Sequence, residues 1–212
     1  MAEPTIGVCP RRHSHYTVQQ DKLSDCGPSC ISLLLHEIGH AQKGATIAEI
    51  RQMSAQYPGH YRPDRDNIRI GPAMASGSPL AALASLAYEA VGGYDPDEHY
   101  DGTFSGNLAQ VLKNDFGIAK AKTVDVGQGR QVKDLLKAAG QPVIVHIRWS
   151  NGGGHFILGG LARDRHIIGK SEYCFSDPYY GLVSPTIGDK ARNEYHPRNG
   201  VVGTFTGWVV TI

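Results

Sequence analysis

Gln20-Asp21-Lys22-Leu23-Ser24-Asp25-Cys26-Gly27-Pro28-Ser29-Cys30 runs without a break into Ile31-Ser32-Leu33-Leu34-Leu35-His36-Glu37-Ile38-Gly39-His40, and the reading of the chain turns on that join. Ile31, Leu34, Leu35 and Ile38 recur at the period of an amphipathic helix, which the pattern extends from about Cys26 to His40. Gly27-Pro28 falls in the first turn, where proline's missing N–H has no intrahelical partner to lose. Cys26 therefore stands at a helix start, where unpaired amides and the macrodipole favour a thiolate. A cysteine there also serves as a small buried hydrophobe, so chemistry requires partners elsewhere in the chain.

Two later segments supply them. Gly152-Gly153-Gly154-His155-Phe156-Ile157-Leu158 brings a histidine out of a glycine loop at the head of an apolar strand, with Phe156 and Leu158 on the face opposite its ring. Phe175-Ser176-Asp177-Pro178-Tyr179-Tyr180-Gly181 ends an apolar stretch with a carboxylate before a Pro/Gly turn, a position suited to fixing an imidazole tautomer. Taken singly, each has a plain structural reading, as a strand end and an Asp-Pro turn.

Elsewhere the pattern is helical first and extended last. Thr46-Ile47-Ala48-Glu49 is a capping box opening a helix that ends near Gln56. Residues 57–77 are rich in Gly, Pro, Arg and Asp and read as a surface excursion, followed by an alanine-rich helix from Ser78-Pro79 to Gly92-Gly93. Asp95 to Asp101 is acidic but lacks calcium-loop spacing. Leu108, Val111, Leu112 and Phe116 mark a helix closed by Gly117, and Lys133 to Ala139 a shorter one. Pro142 to Ile147, His155 to Leu158, Val201-Val202 and Trp208 to Ile212 read as strands. The order predicts an α+β fold: an N-terminal helical lobe carrying the Cys26 helix, packed on a C-terminal antiparallel sheet carrying His155 and Asp177. Residues 17–212 form one domain in this reading, with an insertion near 57–103.

The composition, 41% hydrophobic and 19% charged over 212 residues, is that of an ordinary globular chain with enough apolar surface for a substantial core. A net charge of +1 with interspersed signs gives no footprint for nucleic acid, and no apolar run reaches membrane-spanning length. Met1 to Tyr16 reads as a polar lead-in without the apolar core of a secretory signal, so cytoplasmic residence or signal-independent export is expected. Four cysteines (Cys9, Cys26, Cys30, Cys174) are too few to suggest a disulfide framework. No cofactor and no metal are expected, and oligomeric state is not readable.

These residues together resemble papain-like cysteine peptidases, especially the bacterial branch that trims double-glycine leader peptides. The likeness rests on Gln20 six residues ahead of Cys26 in an Asp-Cys-Gly-Pro context, on His155-Phe156, on Asp177-Pro178-Tyr179-Tyr180-Gly181, and on Gly207-Trp208-Val209 in a final strand. It covers Gln20 to about His40 and Leu108 to Ile212. The resemblance implies a papain-like fold and a Cys26-His155-Asp177 triad acting on a peptide or protein, with the Gln20 side-chain amide beside the Cys26 backbone amide in an oxyanion hole. The Cys26–His155 interval is longer than expected for leader peptidases, the surplus lying around Tyr57 to Thr103, and no attached transporter is expected. The likeness therefore extends to stand-alone enzymes such as proteases that pathogenic bacteria inject into hosts.

Three other readings compete. The same triad serves a deamidase or an acyltransferase, because a thioester does not dictate what resolves it. His36-Glu37-Ile38-Gly39-His40 has the H-E-x-x-H form of zinc peptidases, two imidazoles on one helix face beside a carboxylate, but Lys43 and Thr46 occupy the positions where the extended motif has Gly and His. A solvent-facing histidine pair opposite the apolar stripe satisfies the same spacing. The last reading is a non-catalytic binding module on the same scaffold.

Overall fold

The computed structural model describes residues 3–10, 12–20, 25–40, 45–57, 103–127, 132, 134–136, 140–150, 153–161, 163–165, 171–183, 194–198 and 201–212. The expected excursion at 57–77, the alanine-rich helix and the acidic segment lie almost wholly outside them. Strands β1 (Thr5–Val8) and β2 (Ser14–Thr17) form an antiparallel hairpin. Helices α1 (Cys26–Glu37), α2 (Ile47–Ala55) and α3 (Ser105–Gln110) follow, the last running into a π-helical turn at Val111–Asp115. The remaining strands are β3 (Lys122–Asp125), β4 (Val143–Trp149), β5 (Gly154–Gly159), β6 (Arg163–Arg165), β7 (Ser171–Tyr173), β8 (Phe175–Asp177), β9 (Gly181–Val183), β10 (Glu194–Tyr195) and β11 (Gly203–Thr211). Residues 132 and 134–136 are also helical, so the short helix that the sequence predicts from Lys133 has helical backbone one residue earlier as well. The fold is α+β, as expected.

Among the described residues seven strands make the main sheet, in the order β10-β11-β4-β5-β8-β9, with β3 pairing β11 beyond its glycine bulge. Alternation along the strands sorts the core into two layers. Ile144, Phe156, Leu158 and Val210 face one way and pack with Ile31, Leu34, Ile50, Leu108 and Leu112 of the helices. Val143, Val145, Ile147, Ile157 and Val209 face the other way, with Phe175, Tyr195, Phe205, Val132 and Leu136. Val201-Val202 stays outside the strands, since β11 begins at Gly203 and Val202 uses its carbonyl on the Ser150 amide. Among the described residues no helix is long and apolar enough to cross a membrane.

Local chemistry explains the helix limits. Thr46 and Glu49 complete the capping box in both directions, fixing the start of α2. Helix α1 stops at Glu37, three residues before the predicted end, because Gly39 takes φ +70°. The Gly39 amide then reaches the His36 carbonyl and the His40 amide the Leu35 carbonyl, a Schellman closure that glycine permits without steric cost. The segment read as a polar lead-in contains the hairpin, and a disulfide joins its Cys9 to Cys174, contrary to the expectation from cysteine count. Cys26 and Cys30 are free thiols.

Candidate active site

Strand pairing assembles the site's histidine and carboxylate. Leu158 of β5 lies opposite Ser176 of β8, so Asp177 falls opposite Ile157 and shares its face with His155, two residues along. His155 is 4% exposed and Asp177 fully buried. The ring's Nε2–H donates to Asp177 Oδ1 at 2.8 Å. The Asp-Pro turn folds back on the same oxygen, which accepts the amides of Tyr179 (2.8 Å) and Tyr180 (3.2 Å), while Oδ2 accepts the Tyr195 hydroxyl at 2.7 Å. A carboxylate is an acceptor only, and with four donors its position is over-determined.

Because Nε2 is committed to Asp177, Nδ1 is the nitrogen left for Cys26, whose side chain hydrogen-bonds the ring. Burial pulls the His155 pKa down. Hydrogen bonds to Asp177 and Cys26, with the negative charges of both, outweigh that and raise it to about 10. The arrangement therefore favours a protonated ring facing the Cys26 side chain. Cys26 is the first residue of α1, as the sequence predicts. The N-cap residue, Asp25, does not cap: its carboxylate takes Arg51 of α2 in a two-pronged bond, Nε to Oδ1 and Nη2 to Oδ2, each 2.6 Å. The first-turn amides are therefore not consumed by that side chain. Gly27 has a packing reason, since a Cβ there would stand 3.0 Å from Thr103 and 3.1 Å from Leu108. Cys30, one turn on, is fully buried, and burial with the nearby charges of Cys26 and Asp177 keeps it a thiol.

Gln20 is brought to this group through its backbone. Its amide donates to the Pro178 carbonyl at 2.9 Å, so the segment ahead of Cys26 is tied to the turn that follows Asp177. All four predicted residues thus belong to one neighbourhood: Cys26, His155 and Asp177 through side chains, Gln20 through its main chain.

The sequence reading missed the surroundings of the ring. Trp149, at the end of β4, stacks on His155 with centroids 5.3 Å apart and planes at 28°, and contacts Tyr180 and Tyr195 in turn. Trp149 extends the apolar run of β4 and could have been noticed; Tyr195 lies on a two-residue strand with no periodic signal. His146, opposite Phe156, is half-buried, and its pKa is lowered to about 4 by desolvation and by the charges of Arg148 and His155. It stays neutral, packs its ring on Phe156 and bonds Thr206 Oγ1 through Nδ1 at 2.9 Å.

The H-E-x-x-H segment does not assemble as a pair on one helix face. Its first two residues end α1 and His40 lies beyond the Schellman closure. His36 Nδ1 bonds the Ser32 carbonyl and its ring packs on Tyr16, so it is not a plain solvent-facing residue. Glu37 accepts the Tyr16 amide at 2.7 Å. The chain matches no known protein-family model and no curated protein.

Proposed function

We propose that the chain is a papain-like cysteine peptidase in which Cys26 attacks a peptide carbonyl, His155 carries the proton and Asp177 holds the ring. The observation that carries this reading is the continuous hydrogen-bonded line from a helix-start thiol through His155 to a fully buried carboxylate. In this reading the Cys26 proton passes to His155 Nδ1, so the nucleophile needs no further base. Attack forms the carbon–sulfur bond, and the developing oxyanion meets the Cys26 amide and, following the family resemblance, the Gln20 side-chain amide. His155 Nδ1–H then protonates the departing amine as the carbon–nitrogen bond breaks. Neutral His155 next takes a proton from water, which attacks the thioester and releases Cys26. Asp177 retains the Nε2–H throughout, making Nδ1 the nitrogen that gains and loses the proton.

Brief iodoacetamide treatment at mildly acidic pH with EDTA, followed by peptide mapping, tests the thiolate, with buried Cys30 as internal control. Labelling of Cys26 that disappears in His155→Ala is expected; an inert Cys26, or labelling indifferent to His155, overturns the proposal. Mass spectrometry of a peptide library then reads the chemistry: shortened peptides signify hydrolysis, exchange of side-chain nitrogen for oxygen a deamidase, and added acceptor mass an acyltransferase.

A further inference from the structure

The N-terminal hairpin carries a cluster that the proposed chemistry does not use. Cys9, His15 and Cys174 are all buried, and one donor atom from each lies within 4.8 Å of the others. The cysteines are joined as a disulfide with their Cα atoms 6.3 Å apart. His15 is 9% exposed, and its Nε2 has no hydrogen-bond partner. A buried ring nitrogen left unsatisfied is unfavourable, and a disulfide sulfur has no proton to offer it. The other nitrogen, Nδ1, faces Glu37 Oε1 at 3.6 Å, and the same oxygen is anchored by the Tyr16 amide. A carboxylate behind the far nitrogen is the usual support of a histidine metal ligand.

We propose that in the dithiol state Cys9, Cys174 and His15 bind a thiophilic divalent cation of the Zn2+ class, with Glu37 orienting His15. The disulfide is then the metal-free alternative of the same site. Two thiolates and an imidazole suit such a cation, and water or His13, on the same hairpin, completes a tetrahedron. Zn–S bonds of about 2.3 Å hold two sulfurs roughly 3.8 Å apart, which side-chain rotation supplies from the observed Cα spacing. The interconversion balances: two low-molecular-weight thiols reduce the Cys9–Cys174 bond and leave as their own disulfide, and the cation then displaces one proton from each cysteine. In either state residue 174, three before Asp177, stays tied to the hairpin that leads to Gln20.

The test uses the full chain reduced with a phosphine, which takes up oxygen from water as the disulfide becomes two thiols, and titrated with Co2+ as the probe. A single equivalent should give the thiolate-to-cobalt charge-transfer band and tetrahedral d–d bands, and added Zn2+ should bleach them. The oxidised chain should give neither. Cys174→Ser should abolish the signal, His15→Asn and Glu37→Gln should weaken binding roughly tenfold or more, and Cys26→Ala should leave it unchanged. A reduced chain without the band, a disulfide the phosphine leaves intact, or a band that survives Cys174→Ser overturns the site. Should Cys174→Ser fail to fold, His15→Asn decides alone, since it keeps both sulfurs: unchanged Co2+ affinity there overturns the site equally.

Discussion

The Tyr195 hydroxyl donates to Asp177 Oδ2 at 2.7 Å, on the side of the carboxylate away from the oxygen that His155 holds. Burial, followed by the charge of Asp177 and the hydrogen bond to it, pushes the Tyr195 pKa well up, so the hydroxyl keeps the proton it donates. Tyr195→Phe removes that donor while retaining the ring. A loss of about 1.5–3 kcal/mol in denaturant unfolding is expected, the usual worth of a hydrogen bond to a charged group. Cys26 alkylation should slow by roughly tenfold or less. A variant as stable and as reactive as the parent would reduce Tyr195 to a space-filler.

His155 fixes a pH window. Its folded pKa lies above the ordinary histidine value, so its charge contributes stability fully below about 6.5, and that contribution is lost as pH rises toward about 10. Asp177→Asn keeps an acceptor but removes the charge. Titration of the ring Cε1–H by NMR should show the His155 pKa falling by roughly 1–3 units in this variant. Urea midpoints should decline less steeply across the same window.

Trp149 covers one face of the same ring. When His155 is protonated, the indole offers a cation–π contact worth roughly 0.5–2 kcal/mol. Trp149→Ala should therefore lower the His155 pKa by roughly 0.4–1.5 units, and Trp149→Phe should recover part of the shift. An unmoved titration in Trp149→Ala would leave the indole a packing role only.

Arg51 and Asp25 make a nearly dry ion pair, the carboxylate 1% and the guanidinium 18% exposed. Arg51→Ala leaves Asp25 buried without its cation and should cost roughly 3–5 kcal/mol. Arg51→Lys should restore only part, because an ammonium cannot reproduce the two-pronged bond. Equilibrium urea unfolding separates the two variants.

What the sequence disclosed was what periodicity and turn chemistry encode. The Cys26 helix, the Thr46–Glu49 box and the strands around Ile144 and His155 follow from local patterns that the packed fold preserves. So does the sharing of one face by His155 and Ile157. Long-range partners left no such trace: Arg51 on Asp25, Tyr195 on Asp177 and Cys9 on Cys174 are meetings of residues far apart in the chain. Gly39 could have been weighed more heavily, since a glycine inside an apolar helical stripe is also the usual C-terminal stop.

The amide of Gln20 on the carbonyl of Pro178 and the bond between Cys9 and Cys174 both land on the short stretch that bears Asp177. The amino-terminal twenty residues are therefore a handle on the carboxylate. A deletion, a cleavage or a tethered carrier in that region will be felt at His155.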